Sequence, residues 1–180
     1  MSNEGSAEAM NDTDEILDLV DENDNVIGTI ARSETSAGQL GGYIRASELL
    51  IINDKGQLWI PRRQMNKRIA PGGLDFSAAG HVSSGETYEE TLKKEVAEEI
   101  NLELDDSKLE FLHKFTPRPD LPPYFRSVWL YRSNDAPNYN PDDFSGYEWL
   151  DPHEMLRRIK EGDPAKKSLT ETIEYLVDHI

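Results

Sequence analysis

Three glutamates, Glu95, Glu98 and Glu99, fall at helical spacing within Lys94-Glu95-Val96-Ala97-Glu98-Glu99-Ile100-Asn101-Leu102. On a helix that spacing puts all three carboxylates on one face. Glu89 and Glu90 each have a lysine four residues downstream, Lys93 and Lys94, which is the favourable order for helical ion pairs. The other three have no such partner, because positions 99, 102 and 103 are Glu, Leu and Glu. Like charges so spaced, near the negative end of a helix dipole, destabilise a bare helix by roughly a few tenths of a kcal/mol each. A divalent cation reverses that sign, since hard cations take carboxylate oxygens and phosphate oxygens together. A solvated acidic face in an acidic protein satisfies the same charge pattern, so pattern alone leaves both readings open.

The helix that must carry these groups is well marked. Thr87 followed by Glu90 has the form of a capping box, which makes Thr87 the N-cap. Tyr88, Leu92, Val96 and Ile100 form one apolar stripe. Asn101 stands where a left-handed C-terminal residue is wanted, and Asn tolerates that conformation. A second chemical signal is the dense basic cluster Arg62, Arg63, Lys67 and Arg68. Against an acidic background it reads as a local phosphate site, with Arg62 and Arg63 the better candidates for bidentate contacts; a solvated strand end is the alternative. Tyr124 and Phe125 open the most aromatic segment and are core residues or, for one of them, a stacking surface for a base. His81 reads as a hydrogen-bonded loop residue and not as a ligand.

Gly80, five residues, Glu86, seven residues, and then Lys94 to Leu102 together resemble the Nudix box, G-x5-E-x7-R-E-U-x-E-E-x-G-U, where U is bulky and apolar. Lys94 stands where the family has Arg, and Asn101 where it has Gly. The resemblance implies a Mg2+- or Mn2+-dependent hydrolase of nucleoside diphosphates linked to another group. It implies Glu95, Glu98 and Glu99 as metal ligands, Gly80 as a backbone carbonyl donor and Lys94 as the residue that orients Glu95. Glu86 matches the first glutamate of the box. The general base is one of the box glutamates or a loop carboxylate, for which Asp142, Asp143 and Glu148 are candidates. A hairpin ahead of the core and the Ala79-Gly80-His81 segment are similar to the isopentenyl-diphosphate-isomerase-like branch. Those isomerases carry a catalytic cysteine where Ala79 stands, and the chain has none, which excludes that reaction. The remaining alternative is a catalytically weak nucleotide-binding module that keeps the fold. Pro117, sixteen residues beyond Asn101, is a spacing similar to ADP-ribose pyrophosphatases, but in a proline-rich loop it does not fix the substrate.

The chain of 180 residues is long enough for one domain with a sizeable core. A net charge of -16 makes a nucleic-acid backbone an unsuitable partner. Without cysteine there are no disulfides, zinc-thiolate sites or thiol nucleophiles. No apolar run approaches a membrane span and no signal peptide is visible, so the expected location is cytoplasmic. Residues 1–14 read as a flexible tail and 15–180 as one α/β domain, a mixed sheet sandwiched between helices. A hairpin comes from residues 16–20 and 26–31, with the aspartates and asparagines of 21–25 as turn residues. Further strands are expected at 43–52, 57–63, 109–115, 124–132 and 147–150, and a loop at 33–42. Pro61 argues for a strand end or edge. Asp151 caps a helix with proline at its first position, and Ser168 is expected to cap the last helix. The resemblance implies a small nucleotide as partner; a homodimer is left open, since nothing in the sequence specifies an interface.

Overall fold

The Leu49-Leu50-Ile51-Ile52 run is apolar on both faces, and a strand can carry such a run only if both faces are covered. The computed structural model, which describes residues 15–36 and 40–180, covers both. In chain order the elements are β1 (Ile16–Val20), β2 (Val26–Ala31), a 3-10 turn (Arg32–Ser36), β3 (Ile44–Ile52), β4 (Leu58–Arg63), β5 (Ala78–His81) and α1 (Tyr88–Ile100). A short 3-10 turn then leads to β6 (Leu109–Phe115), β7 (Tyr124–Arg132), β8 (Phe144–Leu150), α2 (Pro152–Lys160) and α3 (Lys167–His179). The expected tail at 1–14 lies outside the described residues.

β1 and β2 form a separate antiparallel hairpin, and the other six strands form one mixed sheet ordered β6-β7-β3-β4-β8, with β5 also paired to β3. β3 and β7 run parallel in register from Ile44 opposite Tyr124 to Ile52 opposite Arg132, while the β6–β7, β3–β4 and β4–β8 pairs are antiparallel. Side chains alternate across a strand. Leu49 and Ile51 of β3, Trp59 of β4, and Trp129 and Tyr131 of β7 therefore face α1, where Leu92, Val96 and Ile100 meet them. Leu50, Ile52, Leu58, Ile60, Val128 and Leu130 face the opposite way, onto Met155 of α2 and Leu169, Ile173 and Leu176 of α3. The result is a mixed sheet between helices with an N-terminal hairpin. Among the described residues no helix is long and apolar enough to cross a membrane.

Pro61 stands at a local edge, as expected: β4 pairs with β3 only at Leu58 and Trp59, so at the proline the strand has already left that neighbour and pairs with β8 alone. Two other local expectations are corrected. The expected loop after β2 begins as the 3-10 turn, in which Thr35 Oγ1 donates to the Arg32 carbonyl at 2.7 Å. Ser168 does not cap α3; the N-cap is Lys166, which makes no side-chain cap bond. Ser168 is buried one residue inside the helix, where its carbonyl accepts from Thr172 Oγ1 at 2.9 Å and from Arg126 Nη1 at 3.3 Å.

That last contact belongs to a buried charge cluster. Arg126 on β7 is 2% exposed and reaches Glu48 on β3, 5% exposed, at 2.7 Å. It also pairs with Glu171 and contacts Thr172 on α3, so one guanidinium ties two central strands to the last helix. Burial pushes the Glu48 carboxyl above its usual range, and Arg126 opposes the shift. Removing one member of a buried pair leaves the other charge uncompensated. Arg126→Ala is expected to lower unfolding free energy by about 3–5 kcal/mol in denaturant titrations, and Arg126→Leu combined with Glu48→Leu to recover most of it.

Candidate active site

Helix α1 is oriented before any chemistry is considered. Thr87 Oγ1 accepts from the Glu90 amide at 3.1 Å, and Glu90 Oε2 accepts from the Thr87 amide at 2.8 Å, closing the capping box. Ser47 Oγ on β3 donates to the Tyr88 carbonyl at 2.5 Å. With Leu92, Val96 and Ile100 buried against the sheet, the face carrying Glu95, Glu98 and Glu99 borders a cavity of about 1000 Å3. β5 passes beside this face. The Glu95 carboxylate lies against Gly80, and the Ala79 amide donates to Glu99 Oε1 at 3.0 Å.

These carboxylates share a confined space. Burial and the neighbouring Glu98 push the Glu95 pKa up to about 7, with Lys94 acting against them. Burial, Asp75 and Glu95 push Glu99 well above the usual carboxylate range, the Ala79 amide opposing. The cavity is also lined by cations: Arg63, Lys67, Arg68 and Lys166 all border it. Arg63 Nη1 and Lys166 Nζ converge on Asp75 at 2.6 and 2.9 Å, and that carboxylate is only 2% exposed. One buried acid thus fixes two cations that line the same cavity as the glutamates. His81 also borders the cavity; burial, Arg32 and Lys166 lower its pKa to about 3, which leaves the imidazole neutral, and its buried Nδ1 has no hydrogen-bond partner.

Among the described residues no three acidic or histidine side chains converge tightly enough to enclose an ion as they stand. The donors nevertheless suit a hard divalent cation by type. They are carboxylate oxygens on one helix face, crowded enough that Glu98 raises the proton affinity of Glu95 and Glu95 that of Glu99.

The residues expected from the sequence divide by position. Glu95, Glu98, Glu99, Gly80, Arg63 and Tyr124 border the cavity together. Lys94, Arg62 and Phe125 do not. Lys94 Nζ holds both oxygens of Glu86 at 2.9 and 3.0 Å and Ser83 Oγ at 3.2 Å; Glu95 is not its partner. Arg62 is held by Asp163 at 2.7 and 2.9 Å and by Glu148 at 3.3 Å, in a cluster completed by Arg158. Phe125 is buried edge-on against Tyr43. Of the loop carboxylates, Asp143 borders the cavity and pairs with Lys67 at 3.1 Å, whereas Asp142 lies outside it and Glu148 is occupied by the two arginines. Sequence reasoning missed Glu48, Asp75, Lys166 and Arg32. A charged residue directly ahead of the apolar run 49–52 was the available signal for Glu48; the other three depend on contacts between distant segments.

A sequence model of the NUDIX domain matches residues 42–173. A Nudix hydrolase of Deinococcus radiodurans is 42% identical over 161 residues, which cover 89% of this chain and 93% of the relative. A weaker likeness, 29% over 139 residues and covering 76% of this chain and 77% of the relative, is to an isopentenyl-diphosphate Delta-isomerase 2 of Photorhabdus laumondii. Among solved structures, a crystal structure of a Deinococcus radiodurans protein superposes with a TM-score of 0.79 at 40% identity, covering 89% of this chain and 98% of that one. The matched segment holds the capped helix, the glutamate face and the glycine strand described above, and the chain belongs to the Nudix hydrolase family.

Proposed function

We propose that this hydrolase uses Mg2+ or Mn2+ to cleave a diphosphate linkage in a nucleoside di- or triphosphate, or in a nucleoside diphosphate derivative. The supporting observation is the single cavity lined both by Glu95, Glu98 and Glu99 and by Arg63, Lys67, Arg68 and Lys166. An anionic substrate needs cations to hold its phosphates, and carboxylates suit that site only if something positive joins them. The three glutamates would hold a divalent cation, which when bound supplies charge neutralisation at the phosphate oxygens.

The chain's own groups account for the other requirements. Arg63 and Lys166, fixed by Asp75, grip the phosphates. Asp143, which borders the cavity, or one of the box glutamates takes the proton from the attacking water. Tyr124 and the half-buried walls around His81 limit the water that reaches the reacting phosphorus.

Product analysis across a nucleotide panel, wild type beside Glu98→Gln, tests this reading. Turnover is expected to require Mg2+ or Mn2+, to stop on chelation with EDTA, and to be lost in the isosteric Glu98→Gln. Tight nucleotide binding without metal-dependent turnover would leave a binding module instead.

Gly80 gives a second, independent test. A Cβ built on Gly80 would overlap the Glu95 carboxyl group, with Oε1 only 2.6 Å away. Gly80→Ala should therefore push Glu95 off the strand, and misplacement of that size costs about 100-fold in rate. The expected result is a kcat lowered to that extent in a protein whose far-ultraviolet circular dichroism is unchanged; wild-type kcat would show that Glu95 is not needed at this position.

A further inference from the structure

The N-terminal hairpin adds little to the core. Of its apolar residues only Leu17 and Val20 are buried, and the first half of β2 is exposed. It is nevertheless fastened to the rest of the chain at both ends. At its tip, Asp24, in the left-handed conformation with φ 64°, accepts Arg45 Nε at 2.6 Å and Tyr88 Oη at 3.0 Å and pairs with Lys114. Near its base, Asp18 accepts Ser84 Oγ at 2.7 Å, and the Ile16 carbonyl accepts the Ser84 amide at 2.8 Å. So many polar contacts for so little apolar burial suggest an element built to position something.

What it positions is Arg32. This residue follows β2 directly, borders the same cavity as the box glutamates, and precedes the segment matched by the family's sequence model, which begins at residue 42. Its amide donates to the Glu15 carbonyl at 2.9 Å, and Nη1 pairs with Glu15 Oε2 at 3.0 Å. Glu15 Oε1 accepts Ser83 Oγ at 3.1 Å, and Ser83 Oγ receives Lys94 Nζ, which in turn grips Glu86. A chain of polar contacts therefore runs from Arg32 through Glu15, Ser83 and Lys94 to the start of the glutamate helix. The Arg32 charge is felt by Glu95, His81 and Tyr124, all of which border the same cavity.

We propose that Arg32 is a substrate-binding residue, a guanidinium delivered by the N-terminal hairpin from outside the matched family segment to hold the phosphate-bearing part of the substrate beside Glu95. This rests on the hydrolase reading above for the presence of phosphates, and adds the residue and the element that bind them. Arg presents a planar fork that matches phosphate geometry, which Lys does not. Glu15 is a positioning residue that aims the fork and links it to the loop before α1.

The test is calorimetric titration of the full chain with inorganic diphosphate and Mg2+, which needs no turnover. Arg32→Ala is expected to weaken binding about 10- to 100-fold, the usual loss for a hydrogen bond to a charged group. Arg32→Lys should restore only part of it, and Glu15→Gln should weaken binding less than Arg32→Ala. With a nucleotide substrate, Arg32→Ala should raise KM by a similar factor while kcat stays within about threefold of the wild type. Thermal midpoints monitor folding, and the Arg32→Lys and Glu15→Gln comparisons decide the matter if the alanine variant is unstable. Unchanged diphosphate affinity in Arg32→Ala, full rescue by lysine, or no binding by the wild type would overturn the proposal. Hydrolysis by the wild type with an unaltered Arg32→Ala KM would sink the role of Arg32 and leave the hydrolase reading standing.

Discussion

A side chain at Gly80 would occupy the space of the Glu95 carboxyl group, so the bare glycine on β5 is what lets that carboxylate of α1 lie against the strand. From that approach follows the crowding of the acids beside the cavity, where Glu98 raises the proton affinity of Glu95 and Glu95 raises that of Glu99. An arrangement of this kind is unfavourable for the fold taken alone, since burial and like charge both oppose ionisation. The surroundings offset it. Leu92, Val96 and Ile100 of α1 are fully buried, the capping box satisfies its first turn, and two cations fixed by Asp75 line the same cavity as the acids. Most of what holds α1 in place can be read as support for a face that would not otherwise stay together.

The two departures from the family pattern make sense in these terms. Asn101 adopts φ 49° and ψ 38°, the conformation for which glycine is the easier residue. Its side chain adds what glycine cannot: Nδ2 donates to the Asn138 carbonyl at 2.6 Å, next to the Asn140 amide that donates to the Glu99 carbonyl at 2.7 Å. The loop that ends in Asp143 is thereby fastened to the last turn of the glutamate helix, and Gln64 fastens its other side through the Pro141 carbonyl. Lys94 gives up the planar fork of arginine but, with a single ammonium, holds Glu86 and Ser83 together. Both substitutions exchange a feature of the motif for a tether to a neighbouring loop.

How much of this could be read from the sequence follows the range of the interactions. The cap at Thr87, the stripe from Tyr88 to Ile100 and the left-handed Asn101 are settled within a few residues of chain, and each was legible. The double-faced strand 49–52 was legible as well, because its pattern admits one environment. Ser168 misled because the helix starts earlier, at Lys167, and takes the serine inside it, where its side chain cannot cap. Arg62 misled for a different reason, since its type suits phosphate equally well as Asp163, 101 residues away. Arginine adjacent to arginine told the sequence reader that cations gather there, but only the packing of α2 against β4 and β8 separates Arg63, which borders the cavity, from Arg62, which is occupied.

The hairpin extends this point from single residues to whole elements. Its aspartates looked like turn formers, and Asp21 is one, accepting the Asn23 and Asn25 amides at 2.9 Å. Asp24 has the backbone of a turn residue too, but its carboxylate joins β3, α1 and β6 at one point through Arg45, Tyr88 and Lys114. Burial raises and these partners lower its pKa, and the partners prevail. A two-stranded ribbon is marginal by itself in water. Held at Asp24 and again at Asp18 and Glu15, it leads directly into Arg32, which borders the cavity, and the site then draws on parts of the chain on both sides of the glycine-to-leucine motif.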